Sequence, residues 1–263
     1  MSSAPAEPAG KTHAEKKSNI AGRILVGVLS ILVLLFAAAA LSAVRAQNQA
    51  EQLRRQVGMA GGRCETNPRV PAWLAAIAGK ECHTFLDSVA IVGVSMEGEK
   101  IGDENVARLA GLQDVAQLNL ELSHVTSAGL KSIAQLKSLR LLNLMSTRIT
   151  DVSPLADLPN LHTLRIDYNS QIDAKTLGEL ARLPQLRILG TKGCRLRDDG
   201  VAELAKCTQL ESLDIGGATL GESGLVPLQA LKNLQSLGLQ LAQVSDADLA
   251  AFKTAVPGCR IVR

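Results

Sequence analysis

The chain has 263 residues, a net charge of +3, 46% hydrophobic residues and only 2% aromatic ones. So small a charge, in a chain with no basic stripe interleaved with stacking aromatics, argues against nucleic-acid binding. No Cys-x-x-Cys or histidine–cysteine spacing points to a metal, so no metal and no cofactor are expected.

Residues 1–23 read as a disordered basic tail: small and polar, carrying Lys11, Lys16, Lys17 and Arg23, with too few large apolar side chains to form a core. Gly10-Lys11-Thr12 lacks the upstream glycine and preceding strand of a phosphate-binding loop. Ile24–Val44 carries no charge over 21 residues and is closed by Arg23 and Arg45. At about 1.5 Å per residue a helix there would reach roughly 30 Å, the thickness of a bilayer core. The expectation is therefore a transmembrane signal-anchor helix over 24–44, exceeding the usual apolar length of a cleaved signal peptide. Cleavage after Ala46 would instead release a secreted soluble repeat protein. The basic residues on the two sides of the segment nearly balance. The short tail and a cysteine pair further on favour a single-pass membrane protein, N-terminus cytoplasmic and repeats periplasmic or extracellular. Ala38/Ser42 and Ala39/Ala43 form small-xxx-small steps that leave homo-oligomerisation open.

Residues 45–62, rich in Gln, Glu and Arg, read as a polar helical stalk ended by Gly58 and Gly61-Gly62. Residues 63–87 read as an N-terminal cap, in which Pro71 opens a helix whose apolar face is Trp73, Leu74 and Ile77. Cys64 and Cys82 flank that helix and are the candidate disulfide if the region meets an oxidising compartment.

From residue 88 to 257 one pattern recurs seven times, every 22 to 26 residues. Its first half is strand-like: Val89-x-x-Val92-x-Val94, Val115-x-x-Leu118-x-Leu120, Leu139-x-x-Leu142-x-Leu144, Leu161-x-x-Leu164-x-Ile166, Leu186-x-x-Leu189-x-Thr191, Leu210-x-x-Leu213-x-Ile215 and Leu234-x-x-Leu237-x-Leu239. Its second half spaces apolar residues by three or four, as in Leu130/Ile133/Leu136 and Leu249/Phe252/Val256, predicting a short outer helix. Thr126, Asp173 and Ser245 stand where an N-cap belongs. The unit beginning at Ser138 is short, and its outer segment is expected to be a single turn. Residues 258–263 supply a closing strand, Cys259-Arg260-Ile261-Val262. Cys194 and Cys207 occupy inward places and read as small buried apolar residues. The fold class is thus α/β, a solenoid of parallel inner strands and short outer helices preceded by one transmembrane helix.

These units resemble the leucine-rich repeat family, whose strand half has the form LxxLxLxxN/C/T. The last position is filled here by Ser123, Thr147, Asn169, Cys194, Ala218 and Ala242. The 24-residue units look most like the ribonuclease-inhibitor-like and cysteine-containing branches, as in bacterial membrane-anchored repeat proteins. The resemblance implies that the last residue hydrogen-bonds backbone inside the turn. Asn169, Thr147 and Ser123 can do so, whereas Ala218 and Ala242 cannot and need another partner for their buried amides. Thr191, in a place usually aliphatic, is a departure.

The resemblance also implies that the concave strand face is the binding surface. Three columns line it, beginning at Ile91, Gly93 and Ser95 and continuing with Gln117, Asn119 and Glu121, then Leu141, Asn143 and Met145. Arg165 and Asp167 follow with Tyr168 at the edge, then Ile188, Lys192 and Asp214. Mixed charges around a few apolar side chains suit a protein or peptide partner. Against this stand the scarcity of aromatics and the option that Arg165, Asp167, Lys192 and Asp214 simply neutralise one another. The four histidines, His13, His83, His124 and His162, have no nucleophile or carboxylate at a motif spacing. Gly221-Glu222-Ser223-Gly224 is not a nucleophile elbow, so no catalysis is expected. The functional expectation is a membrane-tethered module for protein–protein interaction. The alternative is a structural or assembly component of a membrane complex, working through convex or lateral surfaces.

Overall fold

The computed structural model describes residues 51, 54–55, 57–59, 61–68, 89–110, 112 and 115–263. The chain divides into two compact units, Met1–Asn48 with Val70–Ser88 and Gln49–Arg69 with Val89–Arg263. All described residues fall in the second. The tail, the segment Ile24–Val44, the cap helix with Trp73, and Cys82 lie outside the described residues.

The second unit is built on one nine-stranded sheet in sequence order: β1 (Arg63–Pro68), β2 (Val89–Ser95), β3 (Gln117–Asn119), β4 (Leu141–Asn143), β5 (Thr163–Arg165), β6 (Ile188–Gly190), β7 (Ser212–Asp214), β8 (Ser236–Gly238) and β9 (Arg260–Val262). Strands β2 to β9 pair in parallel, each repeat handing its strand to the next, and β9 closes the order. The other end is covered by β1, which pairs antiparallel with β2, Cys64 opposite Val94. The backbone of Cys64 therefore belongs to a strand on the first repeat.

The outer segments follow the change of period but not always as α-helix. Asp103–Ala107, Ser127–Ile133, Asp198–Leu204 and Asp246–Ala255 are α-helical. Ala174–Arg182 and Pro227–Ala230 are 3₁₀. The short unit has only the turn Ser153–Leu155. Pro154 and Pro227 lack an N–H, which suits them to a helix start. The side chains of Thr126, Asp173 and Ser245 accept hydrogen bonds from the amides of Ala128, Lys175 and Asp248, as N-caps do.

Leucines of every repeat stack between sheet and outer segments. Leu139, Leu142, Leu144, Leu155, Leu158, Leu161 and Leu164 are all fully buried, each worth roughly 1.5–3 kcal/mol of burial. In the first unit the register differs from the sequence reading by two residues. Val94 aligns with Leu118, and Gly93 and Ser95 align with Gln117 and Asn119. Met96, fully buried, fills the last apolar slot. A run of alternating valines cannot distinguish registers two apart, because a slip of two returns each side chain to the same face. The segment expected as a stalk ends docked on this unit: Val57 is fully buried, and the Met59 carbonyl accepts from Arg108 at 2.8 Å.

The membrane expectation is corrected here. Among the described residues no helix is long and apolar enough to cross a membrane. The ten-residue helix Asp246–Ala255 would reach roughly 15 Å against a core of roughly 30 Å. That finding overturns the solenoid preceded by a transmembrane helix, the signal-anchor and embedment through Ile24–Val44, and the single-pass localisation drawn from them.

Each unit turns out of its strand through one residue in the left-handed region. Gly98, Gly193 and Gly217 hold this place without strain, but Leu122, Ser146, Tyr168 and Leu241 hold it with φ of 52 to 59°. Leu241 is 88% exposed, so little packing offsets the steric cost of its Cβ there. Leu241→Gly is expected to raise stability by roughly 0.5–1 kcal/mol, after allowing for the extra freedom glycine gives the unfolded chain. A shift of the denaturant midpoint to lower concentration would show that the leucine makes contacts that matter.

Candidate functional site

The last turn residue of each unit decides how tightly the sheet edge is held. Asn169, 2% exposed, donates through Nδ2 to the carbonyls of Leu144, Ile166 and Asp167 and accepts through Oδ1 from the amide and hydroxyl of Thr147. Thr147 also donates to the Leu144 carbonyl. The Cys194 thiol donates to the Ile166 carbonyl at 3.1 Å. The turns at Ala218 and Ala242 satisfy their amides on the carbonyls three residues back, Ile215 and Leu239. Ser123 does not behave as expected, since its buried hydroxyl has no hydrogen-bond partner. Thr191 keeps its core place because its hydroxyl donates to the Asp214 carbonyl at 2.7 Å.

On this frame β5 to β7 surround a hollow of about 300 Å³, lined by Met145, Arg165, Asp167, Tyr168, Ile188, Leu189, Gly190, Lys192, Ser212 and Asp214. Seven of the candidate residues thus come together around one concavity. Asn119, Glu121, Leu141 and Asn143 lie outside its lining, on β3 and β4 or just beyond them.

The charged side chains lean over glycines of the following strand. A Cβ on Gly190 would lie 2.8 Å from Asp167 Oδ1, and one on Gly238 2.7 Å from Asp214 Oδ1. Asp167, 4% exposed, receives the Lys192 amide at 2.9 Å and Arg165 Nε at 3.1 Å. Asp214 accepts from the Gly216 amide at 2.8 Å. The Lys192 aliphatic stem passes over Gly216, and its Nζ donates to Gln240 Oε1 at 3.0 Å, two strands away. Mutual neutralisation of the four charges therefore holds only for the pair Arg165–Asp167.

Apolar surface accompanies these charges. Ile188 is 39% and Tyr168 50% exposed, and the tyrosine ring lies over Gly193, where a Cβ would come within 2.6 Å of it. On β3 and β4 the polar side chains form a ladder: Asn119 Nδ2 donates to Glu97 at 2.6 Å, and Asn143 Nδ2 to Glu121 at 3.2 Å. Glu97 is a face residue that the slipped register concealed; its signal was an acid two residues beyond Ser95, matching Glu121 beyond Asn119. The columns accordingly begin at Gly93, Ser95 and Glu97 rather than Ile91, Gly93 and Ser95.

A larger hollow, about 550 Å³, opens at the edge where the strands begin, lined by Arg187, Gln209, Glu211, Lys232, Asn233, Leu234, Gln235 and Gly258. Arg187 and Glu211 pair across it at 3.5 Å. It offers one apolar side chain, Leu234, which is itself buried, and so has little to anchor a partner. Among the described residues no group of histidine, cysteine and acidic side chains could hold a metal ion.

The class these features define is a leucine-rich repeat solenoid. A family model described as leucine rich repeats, two copies, matches residues 137–182, the stretch containing β4, β5 and the asparagine turn. Its structure is similar to an internalin from Listeria monocytogenes, with 21% identity and a TM-score of 0.49 over 69% of this chain and 58% of that one. It is likewise similar to internalin C2 from Listeria monocytogenes, at 26% identity and 0.45 over 68% and 82%. A third is a leucine-rich repeat protein of Leptospira interrogans, at 24% and 0.46 over 60% and 39%. The chain thus spans little more than half of the first of these proteins. No curated protein matches the sequence.

Proposed function

We propose that this protein is a non-catalytic interaction module whose open sheet face, centred on the hollow of β5 to β7, receives a protein or peptide partner. The observation that carries the reading is the division of labour among the charges. Asp167 and Asp214 are tied to backbone amides, while Arg165 and Lys192 stand beside the apolar surfaces of Met145, Tyr168 and Ile188. Uncharged anchors give affinity and the neighbouring cations give register. Nothing in this reading draws on a membrane tether.

The test is the triple variant Arg165→Ala, Tyr168→Ala, Lys192→Ala, immobilised beside the unaltered chain and offered extracts of the cells that make it. Capture of the specific partner is expected to weaken at least about tenfold, with the unfolding midpoint nearly unchanged because the three side chains are half-exposed. A second reading, assembly through the lateral surface, rests on the larger hollow at Arg187 and Glu211. It would be favoured if capture survives the triple variant but is lost on Lys232→Glu.

A further inference from the structure

The charges of the open face are arranged in an order that a partner must match, an inference that rests on the binding face proposed above. At the β2–β3 end the carboxylates are pinned outward by neutral donors. Glu97 Oε1 accepts from the Ser95 hydroxyl and the Asn119 amide, and Glu121 Oε2 accepts from Asn143. No cation pairs with either among the described residues. Over β5 and β6 the signs reverse. Asp167 is sunk in the sheet beneath its own hydrogen bonds, and Asp214 leans away from Arg165 over Gly238. Arg165 uses only Nε on Asp167, so both terminal nitrogens of its fork lack a partner among the described residues. Lys192 is held by a neutral amide. Between the two ends β4 contributes no charge, only Leu141, Asn143 and, just after it, Met145, with Tyr168 alongside.

Distances set the spacing. Adjacent strands lie about 4.8 Å apart, so Glu121 beyond β3 is roughly 14 Å from β6, over which Asp167 draws the Arg165 guanidinium, while Lys192 Nζ on Gln240 lies further along the face. An extended peptide crossing the strands places alternate side chains on one side at about 6.8 Å intervals, and residues i and i+4 span roughly 14 Å. We infer that this face recognises an extended segment of the order basic–x–apolar–x–acidic. Its basic side chain meets Glu121, its apolar side chain rests on Met145 and Tyr168, and its carboxylate meets Arg165, with Lys192 adding positive charge further along the face. The Arg165 fork, already oriented by Asp167, is preorganised for two parallel hydrogen bonds to that carboxylate.

The experiment is to pan a displayed library of random nine-residue peptides against the full chain, then measure single synthetic peptides by fluorescence anisotropy. Expected is enrichment of [Lys/Arg]-x-[Leu/Met/Phe]-x-[Asp/Glu]. The same peptide with its basic and acidic residues exchanged should bind about tenfold more weakly, the difference shrinking as sodium chloride is raised. The double variant Glu121→Lys, Arg165→Glu should reverse the preference, its folding checked by its unfolding midpoint. Should it fail to fold, the salt dependence with the unaltered chain decides the matter. Enriched peptides without this order, or an order the charge reversal leaves unmoved, overturn the inference; if their binding is still lost on Met145→Asp, the binding face stands without it. Peptides that bind Met145→Asp as well as the unaltered chain remove both. Failure to enrich any peptide overturns the charge order and leaves the face to the capture experiment.

Discussion

Replacing Asn169 by alanine is expected to destabilise the solenoid by about 2–3 kcal/mol, more than any single change on the open face. The side chain is 2% exposed and holds five contacts: its two Nδ2 hydrogens are shared among the carbonyls of Leu144, Ile166 and Asp167, and Oδ1 accepts from the amide and hydroxyl of Thr147. Alanine removes all five at once from a place water does not reach, and each buried group left without a partner costs about 1–3 kcal/mol. Most of that cost is recovered at the carbonyls, each of which keeps another donor: Leu144 the Thr147 hydroxyl, Ile166 the Cys194 thiol and Asp167 the Ser146 amide, so the Thr147 amide is the group left without a partner. Aspartate should be no better, since its carboxylate would face the same three carbonyls with no hydrogen to give. Ser123 provides the contrast. It occupies the same place two units earlier, yet its hydroxyl is buried without a partner, so Ser123→Ala is expected to change stability by less than about 1 kcal/mol or to raise it. Urea unfolding of the two variants measures both. A loss under 1 kcal/mol at Asn169, or an equal loss at the two sites, would mean that the repeat turns are held by their backbones alone.

The contrast between these turns also marks how far the fold could be read from residues alone. Strand and outer-segment positions were legible because the spacing of buried leucines changes from two to three or four within every unit, and burial is what those leucines do in the structure. The caps at Thr126, Asp173 and Ser245 were legible because a short side-chain oxygen before a helix has little else to bond. The register of β2 was not, since Val92 and Val94 are interchangeable under a shift of two and only the burial of Met96 separates the choices. The docking of Val57 was equally hidden, one apolar residue among Gln and Arg being too weak a signal against a solvated helix.

On the open face, strand alternation put six of the seven hollow-lining candidates on one side of the sheet, with Tyr168 at its edge. It could not show which way they lean. That direction depends on which neighbour lacks a Cβ: Asp167 lies over Gly190, Asp214 over Gly238, and Lys192 crosses Gly216 to reach Gln240. Glycines that read as featureless in the columns are the slots that hold the charges apart. The membrane segment shows the opposite limit. Composition alone suggested a spanning helix at Ile24–Val44, a stretch outside the described residues, and the helices that are described fall short of a membrane's thickness.

Two thiols buried among the described residues, Cys194 and Cys207, should make this fold unusually sensitive to alkali. Burial pushes Cys194 from its ordinary value of 9.0 up to about 12, and burial does the same to Cys207. Against burial work the Asn169 backbone at Cys194 and the Lys206 ammonium at Cys207, while Asp167 and Glu203 add to it, and burial prevails at both. Folded, both thiols keep their protons well above pH 9; unfolded, they release them there. The unfolded state then binds fewer protons than the folded one, so stability is complete below about pH 9 and falls as pH rises towards 12. Each thiol removes up to about 1.4 kcal/mol per pH unit, or roughly 2 kcal/mol at pH 10.5, so the pair costs about 4 kcal/mol there. Urea unfolding under reducing conditions at pH 8, 9.5 and 10.5 should show this loss. The double variant Cys194→Ala, Cys207→Ala should start less stable at pH 8, having lost two buried sulfur atoms, and then decline more gently. Alkylation gives an independent reading: at pH 8.5 the native chain should react at Cys259, which is only partly buried, long before Cys194 or Cys207. Parallel stability curves for the two proteins, with all three thiols alkylating at one rate, would mean that the inner face of the repeats opens to solvent far more readily than its packing implies.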